Sequence, residues 1–298
     1  MTDWFKPSGT TTSDGFGVVA IRPGGEEWSH TGLLVADLAD GESRTVSTGE
    51  CEYIVLPLSG AAHVTVTAGA ETHEFDLAGR ADVFSGPSDL VYVPRDAEVT
   101  VTSAGGGRYA WPFATARRAF PVAHVAAADV PVELRGAGQA SRQVQNFGTP
   151  GTVEADSIIA CEVITPAGNW SSYPPHKHDE ERPGQESSLE EIYYFEMRAE
   201  DGAPEGADPM GYQRVYGTDD RPIDVLAEVR SGDTVLVPHG WHGPAMAPTG
   251  YDMYYLNVMA GPGEERVWLI CDDPAHGWVR DAWASQDVDP RLPLHEKH

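Results

Sequence analysis

His176 and His178 stand two residues apart behind Tyr173-Pro174-Pro175. On a strand, residues i and i+2 project from one face about 6.5–7 Å apart, so two imidazoles can converge on one ion about 2 Å from each. The prolines stiffen the approach and reduce the entropy lost in presenting the pair. After a polar loop, Asp179 to Leu189, comes Glu190-Glu191-Ile192-Tyr193-Tyr194-Phe195, an aromatic strand with carboxylates at its mouth. Alternation puts Glu191 on the face of Tyr193 and Phe195, and Glu190 on the face of Ile192 and Tyr194. The loop erases the parity between these residues and the histidines, so spacing leaves both glutamates open as a ligand. A third stretch runs Gly232-Asp233-Thr234-Val235-Leu236-Val237-Pro238-His239-Gly240-Trp241-His242. It reads as a turn, an apolar strand, a proline stop and a tight turn, which sets His242 just past a strand end. Three imidazoles and one carboxylate leave coordination positions open on a divalent ion, the condition for catalysis as opposed to a closed structural site.

The elements that must position these groups are strands. Helical periodicity is scarce, and short β-rich runs such as LLVADL, EYIVLPL, AHVTVTA, LVYVPRD, SIIACEVI, EIYYFEM, DTVLVPH and MYYLNVMA recur between Gly, Pro, Asp and Ser clusters. An all-β chain with few short helices is expected. There is also an internal echo. Glu52-Tyr-Ile-Val-Leu followed by Asp89-Leu-Val-Tyr-Val-Pro parallels Glu191-Ile-Tyr-Tyr-Phe followed by Asp233-Thr-Val-Leu-Val-Pro. A repeat this long is a duplicated domain, not a solenoid. The boundary falls within residues 115–150, where Ala-rich and Gly-rich segments interrupt the strand pattern.

HxH, then Glu, then G-x5-P-x-G-…-H resembles the two-part signature of the cupin superfamily. Within it, five segments are similar to the 5-deoxy-glucuronate isomerases of myo-inositol degradation: GNWSSYPPHKHD (168–179), LEEIYYF (189–195), YQRVYG (212–217), GDTVLVPHGWH (232–242) and GYDMYYLNVMAGP (250–262). The resemblance covers the chain. It implies two tandem cupin (double-stranded β-helix, jelly-roll) barrels: a degenerate half without metal histidines, residues 1–125, and a metal-binding half, residues 126–298. His63 and His73 indeed lack any HxH or P-x-G-x-H context. Two departures stand out. Twelve residues separate His178 from Glu191 where cupins usually have three or four, and His242 follows Gly240 by two positions instead of three. Comparison with the related hexosulose-uronate ketol-isomerases, whose ligand Glu precedes a V-Y-x-F strand, implies His176, His178, Glu191 and His242 as ligands. Zn, Mn, Fe, Co and Ni all suit such N/O donors.

The implied reaction converts 5-deoxy-glucuronate to 2-deoxy-5-keto-gluconate through an enediolate. Glu190, Tyr193 and Tyr254 are candidates for the proton carrier. Gln213 and Arg214, on a strand between the metal motifs, are candidates to hold the substrate, with Arg214 suited to its carboxylate. Lys177 alternates away from the metal, and His239 reads as a rim residue. Asp179-Glu180-Glu181 and the end from Leu294 to His298 read as solvated. Rival readings are another cupin metalloenzyme (a uronate ketol-isomerase or an iron-dependent dioxygenase) and a non-enzymatic sugar-binding bicupin.

Composition narrows the partners. Twenty basic against 46 acidic residues leave a net charge of −26, which opposes nucleic acid and anionic membranes as partners and fits a small sugar acid only where the site makes its own positive charge. No run approaches the ~20 apolar residues of a membrane helix. The opening MTDWFKPSGTTTSDG has one lysine and no apolar core of a secretory leader, so a cytoplasmic protein is expected. Three scattered cysteines, Cys51, Cys161 and Cys271, form neither a disulfide framework nor a zinc pair. Exposed barrel edges make a homo-oligomer possible.

Overall fold

Strand Glu190–Ala199 lies near the middle of a seven-stranded antiparallel sheet and has both faces buried. The sheet order is Phe5–Lys6, Thr234–Val237, Glu190–Ala199, Tyr251–Ala260, Ile159–Thr165, Arg142–Gly148 and Val132–Arg135. This is a computed structural model describing residues 4–13 and 15–296. The first three residues and Asp14 of the opening stretch, and Lys297 and His298 at the end, lie outside the described residues.

One face of this sheet carries Tyr193, Phe195, Val235, Val237, Met253, Tyr255 and Met259 into a closed apolar interior. The facing sheet runs Asp224–Val229, Gly211–Tyr216, Trp241–Met246, His176–Lys177 and Cys271–Asp272. Together they make the second barrel. The opposite face carries Ile164, Ile192, Tyr194, Leu256 and Val258, packed against Leu33, Val35, Ile54, Leu56 and Tyr92 of the first half. Each such fully buried side chain contributes roughly 1.5–3 kcal/mol. Burial on both faces explains why EIYYF and MYYLNVMA read as unbroken apolar runs, not as alternating ones.

The first half is an eight-stranded antiparallel sheet curled on itself. Its two long strands, Cys51–Ala68 and Ala97–Thr115, pair along their lengths with register shifts between Pro57 and Ala61, where they bend from one wall to the other. Tyr53, Val55, Val91, Val93, Leu34, Trp111 and Phe113 fill the interior. The all-β expectation of two tandem barrels is met. Among the described residues the one α-helix is Val279–Trp283, and no helix is long and apolar enough to cross a membrane.

The internal echo is real but shifted by one residue. Glu52 accepts hydrogen bonds from the backbone N–H of Asp156, Ser157 and Ile158 in the second half, at 2.6–2.8 Å. Glu190 accepts from the N–H of Ser29, His30 and Thr31 in the first half, at 2.6–3.0 Å. The two carboxylates are reciprocal clasps between the barrels, so Glu52 corresponds to Glu190, not to Glu191. Tyr53, stacked on Phe113 at 4.4 Å, takes the inward position that Glu191 holds in the second barrel.

The chain end also departs from a solvated tail. Leu292 is buried, Leu294 packs on the core between the barrels, and His295 Nδ1 lies 3.1 Å from the Gln143 amide nitrogen.

Candidate metal centre and the cavity beside it

His176 and His242 are direct cross-strand partners, which places two of the three imidazoles side by side, ring centroids 4.5 Å apart. His178 reaches the same point from just beyond its strand, 4.6 Å from His242. The long interval before Glu191 does not separate His178 from it. Residues Asp179–Arg182 and Glu186–Ser188 fold back as a hairpin, and Leu189 donates its N–H to the His178 carbonyl at 2.8 Å. The insertion protrudes, and the chain resumes where a short loop would have left it. Register then puts Glu191 opposite Val237, facing the histidines.

Glu191 Oε2 lies 3.1 Å from both His178 Nε2 and His242 Nε2. Glu191, His178 and His242 form the tightest donor group, all within 4.8 Å, with His176 at its side. All four are buried, Glu191, His178 and His242 to 1% exposure. The other ring nitrogen of each histidine faces a backbone carbonyl: Pro174 for His176 at 3.3 Å, Leu189 for His178 at 3.0 Å, Gly240 for His242 at 3.2 Å. That backing fixes the tautomer with the proton on Nδ1 and turns each Nε2 inward, the arrangement found around ligating histidines. His242 Nε2 is fully buried and, although Glu191 Oε2 lies 3.1 Å away, makes no well-directed hydrogen bond, which suits an atom available to a metal ion. Burial, then the neighbouring His242 and His178, hold the His176 imidazole well below its ordinary pKa and keep it neutral, as a ligand must be. Burial would push the Glu191 carboxyl up, but contacts from His178 and His242 outweigh it and hold it at about 2. The donor set fits a divalent metal.

The turn that delivers His242 is held from the hairpin. Gly240, at φ +92°, donates its N–H to Asp179 Oδ2 at 2.9 Å, and Asp179 also meets Lys177 at 2.6 Å and Arg221 at 3.0 Å. Asp179 is therefore a positioning residue, which corrects its reading as part of a solvated charge run. Lys177 points to Asp179 and Glu186, away from the histidine cluster, as alternation requires.

A cavity of about 490 Å3 opens beside this cluster, bordered by His176, Glu191, Tyr193, Tyr255, Asn257 and Arg142, among others. Tyr193 is the one candidate proton carrier that borders it. Its hydroxyl lies 2.8 Å from Ser172 Oγ, and burial keeps the phenol pKa well above 10. Glu190 is on the opposite face of its strand, occupied by residues 29–31, so its role as a base is corrected by simple alternation. Tyr254 is likewise turned outward, donating to Glu162 Oε1 at 2.6 Å between the barrels beside Arg80. The inward positions on that strand belong to Tyr255 and Asn257. Gln213 faces the barrel interior, fully buried, with neither amide atom hydrogen-bonded, but it does not border the cavity. Arg214 points out, bonded to the carbonyls of Val215 and Val225 and to Asp224, which removes it as the anchor of a substrate carboxylate.

Sequence reasoning missed the cations that do border the cavity, Arg135, Arg142 and Arg280. Arg135 and Arg142 lie in a segment read as a domain junction, and their direct pairing across two strands is a matter of register. The available signal was that basic residues are scarce in this chain.

The sequence pattern of the KduI/IolB family matches residues 4–279. The chain belongs to the KduI/IolB family. A KduI/IolB relative from Geobacillus kaustophilus, a 5-deoxy-glucuronate isomerase, is 39% identical over 95% of this chain and 97% of its own length. The 5-deoxy-glucuronate isomerase of Bacillus subtilis is 37% identical over 92% and 97%. The solved structure of an IolB-like protein from Salmonella typhimurium aligns with a TM-score of 0.81 at 34% identity, covering 93% of this chain and 99% of that one. More distantly, the fold is shared with Bacillus subtilis oxalate decarboxylase, a protein with Mn(II) centres, at a TM-score of 0.55 and 11% identity over 82% and 71% of the two chains. The last likeness is one of fold.

Proposed function

We propose that this chain is a metal-dependent aldose–ketose isomerase that converts 5-deoxy-D-glucuronate to 5-dehydro-2-deoxy-D-gluconate. The observation that carries the reading is the convergence of His178, His242 and Glu191 within 4.8 Å, with His176 alongside, on the border of a cavity. The named activity of its relatives gives the substrate. His176, His178, Glu191 and His242 would hold the ion, one divalent metal of the Zn, Mn, Fe, Co or Ni type. When bound, it supplies Lewis-acid polarisation of the aldehyde and of the adjacent hydroxyl.

The rest falls to the chain. The net change moves one proton from the hydroxyl-bearing carbon to the aldehyde carbon and one from that carbon's hydroxyl to the aldehyde oxygen, with an enediolate between, and needs neither oxidant nor reductant. Tyr193, a neutral phenol fixed by Ser172, is placed to hydrogen-bond the reacting oxygens and to exchange a proton with them. The buried carbonyl-backed histidines and the apolar barrel interior exclude bulk water, which keeps these contacts strong. The first barrel, whose strands lie within residues 19–125, would serve as the partner that covers the outer face of the seven-stranded sheet.

Incubation of the purified protein with 5-deoxy-glucuronate in the absence of dioxygen, followed by NMR, tests the reading. Appearance of the ketose supports it; turnover that requires dioxygen, or binding without turnover, overturns it in favour of a dioxygenase or a sugar-binding protein.

A further inference from the structure

A six-carbon uronate has its carboxylate at the opposite end from its aldehyde. If the aldehyde sits at the metal, the cavity must supply a cation elsewhere on its wall, and the chain's net charge of −26 makes any such cation conspicuous. Three arginines border the cavity, and they are not equivalent. Arg135 is paired with Glu133 at 2.9 Å and lies over Trp268. Arg280 is paired through both nitrogens with Asp272 and lies over Trp283. Arg142 is 8% exposed, stacks on Trp283 at 5.6 Å, and spends one N–H on the Ala140 carbonyl at 3.1 Å. Among the described residues no carboxylate forms an ion pair with it.

A buried guanidinium without a counter-ion is costly unless something anionic completes it. The surroundings sharpen the point. Arg135 is its direct cross-strand partner, and burial together with Arg135 and Arg280 holds Arg142 down at about 10. Gly136 makes room for it: a Cβ there would stand 2.8 Å from Arg142 Nη1. The side chain is thus held by aromatic stacking and one carbonyl, with the rest of its planar fork left for a ligand.

We propose that Arg142 is the anchor for the substrate carboxylate, held ready by Trp283 and by the ion-paired Arg135 and Arg280, and that it selects uronates over neutral sugars. The assignment rests on the isomerase reading for the identity of the substrate, but not for the chemistry of the anion site.

The test uses the metal-loaded protein with D-glucuronate and D-glucuronamide as competing probes, wild type beside Arg142→Gln and Arg142→Lys. The variants are expected to keep their metal content and to lose about 10–100-fold in apparent affinity for glucuronate, the worth of one charge-assisted pair. Glucuronamide binding should be unchanged, and with 5-deoxy-glucuronate the loss should fall on KM more than on kcat. Lysine should recover part of the loss through its charge. If Arg142→Gln does not fold, Arg142→Lys and the wild type still decide: equal affinity of the wild type for acid and amide, or unchanged selectivity in Arg142→Lys, overturns the proposal. Charge-selective binding that depends on Arg142 in a protein without isomerase activity would uphold the anion site and sink the isomerase reading. Isomerase activity with unaltered KM in both variants would do the reverse.

Discussion

Glu190 and Glu191 are consecutive in the chain, yet their carboxylates serve opposite faces of one strand. Glu191 Oε2 lies 3.1 Å from His178 and His242 in the barrel, and Glu190 takes the backbone N–H groups of residues 29–31 from the other barrel. The pair therefore separates the histidine cluster from the cohesion of the two halves. Glu191→Gln is expected to abolish tight metal binding and turnover, because the one carboxylate of the donor group is lost. Glu190→Gln should keep metal and activity but cost about 1–3 kcal/mol, because charged acceptors for buried N–H groups are lost. Metal analysis and thermal denaturation of the two variants, side by side, check this; a metal-free Glu190→Gln protein would contradict it.

A second contrast comes from the tyrosines. Tyr193→Phe removes the hydroxyl that borders the cavity and should lower kcat by at least about tenfold with full metal content. Tyr254→Phe removes a hydrogen bond to buried Glu162 and should cost about 1–3 kcal/mol of stability with little change in kcat. Steady-state kinetics and chemical denaturation distinguish the two, and equal kinetic damage from both would show that the cavity has been misplaced.

Asp179 tests how the turn before His242 is held. Removing its carboxylate in Asp179→Ala frees the Gly240 N–H, takes the Asp179 contact from Arg221 and leaves Lys177 to Glu186 and Glu180. A loss of about 10–100-fold in metal affinity is expected, the usual effect of losing an outer support of a ligand. Competition with a chelator measures it. Unchanged affinity would mean that the barrel alone fixes His242.

Gly240 itself allows little substitution. At φ +92°, with a Cβ that would meet the Tyr216 carbonyl at 2.8 Å, Gly240→Ala should cost more than about 1 kcal/mol and loosen His242. A thermal midpoint within error of the wild type would refute this.

The residues that cluster were legible because their types and local spacing are chemically demanding: an HxH pair, a carboxylate at a strand mouth, a histidine after a glycine turn. The strands were legible from composition and punctuation. What escaped was whatever depends on register between distant segments. The hairpin that cancels the long interval between His178 and Glu191 closes only because residues 178 and 189 meet. Tyr254 and Tyr255 are equally plausible until the strand is paired, since both faces of the sheet are apolar. Arg214 stands between the motifs, but alternation on its own strand turns it outward, and the arginines that border the cavity come from segments with no motif to mark them. The two-sided burial that hides parity is itself the consequence of having two barrels packed sheet to sheet.

The most direct test of the central claim is the metal stoichiometry of the protein, as purified and after chelation and resupply, measured together with isomerisation of 5-deoxy-glucuronate. One divalent ion per chain is expected, with activity lost with the ion and restored with it, and neither ion nor activity in His242→Ala. Full turnover by the metal-free protein, or by His242→Ala, would contradict it.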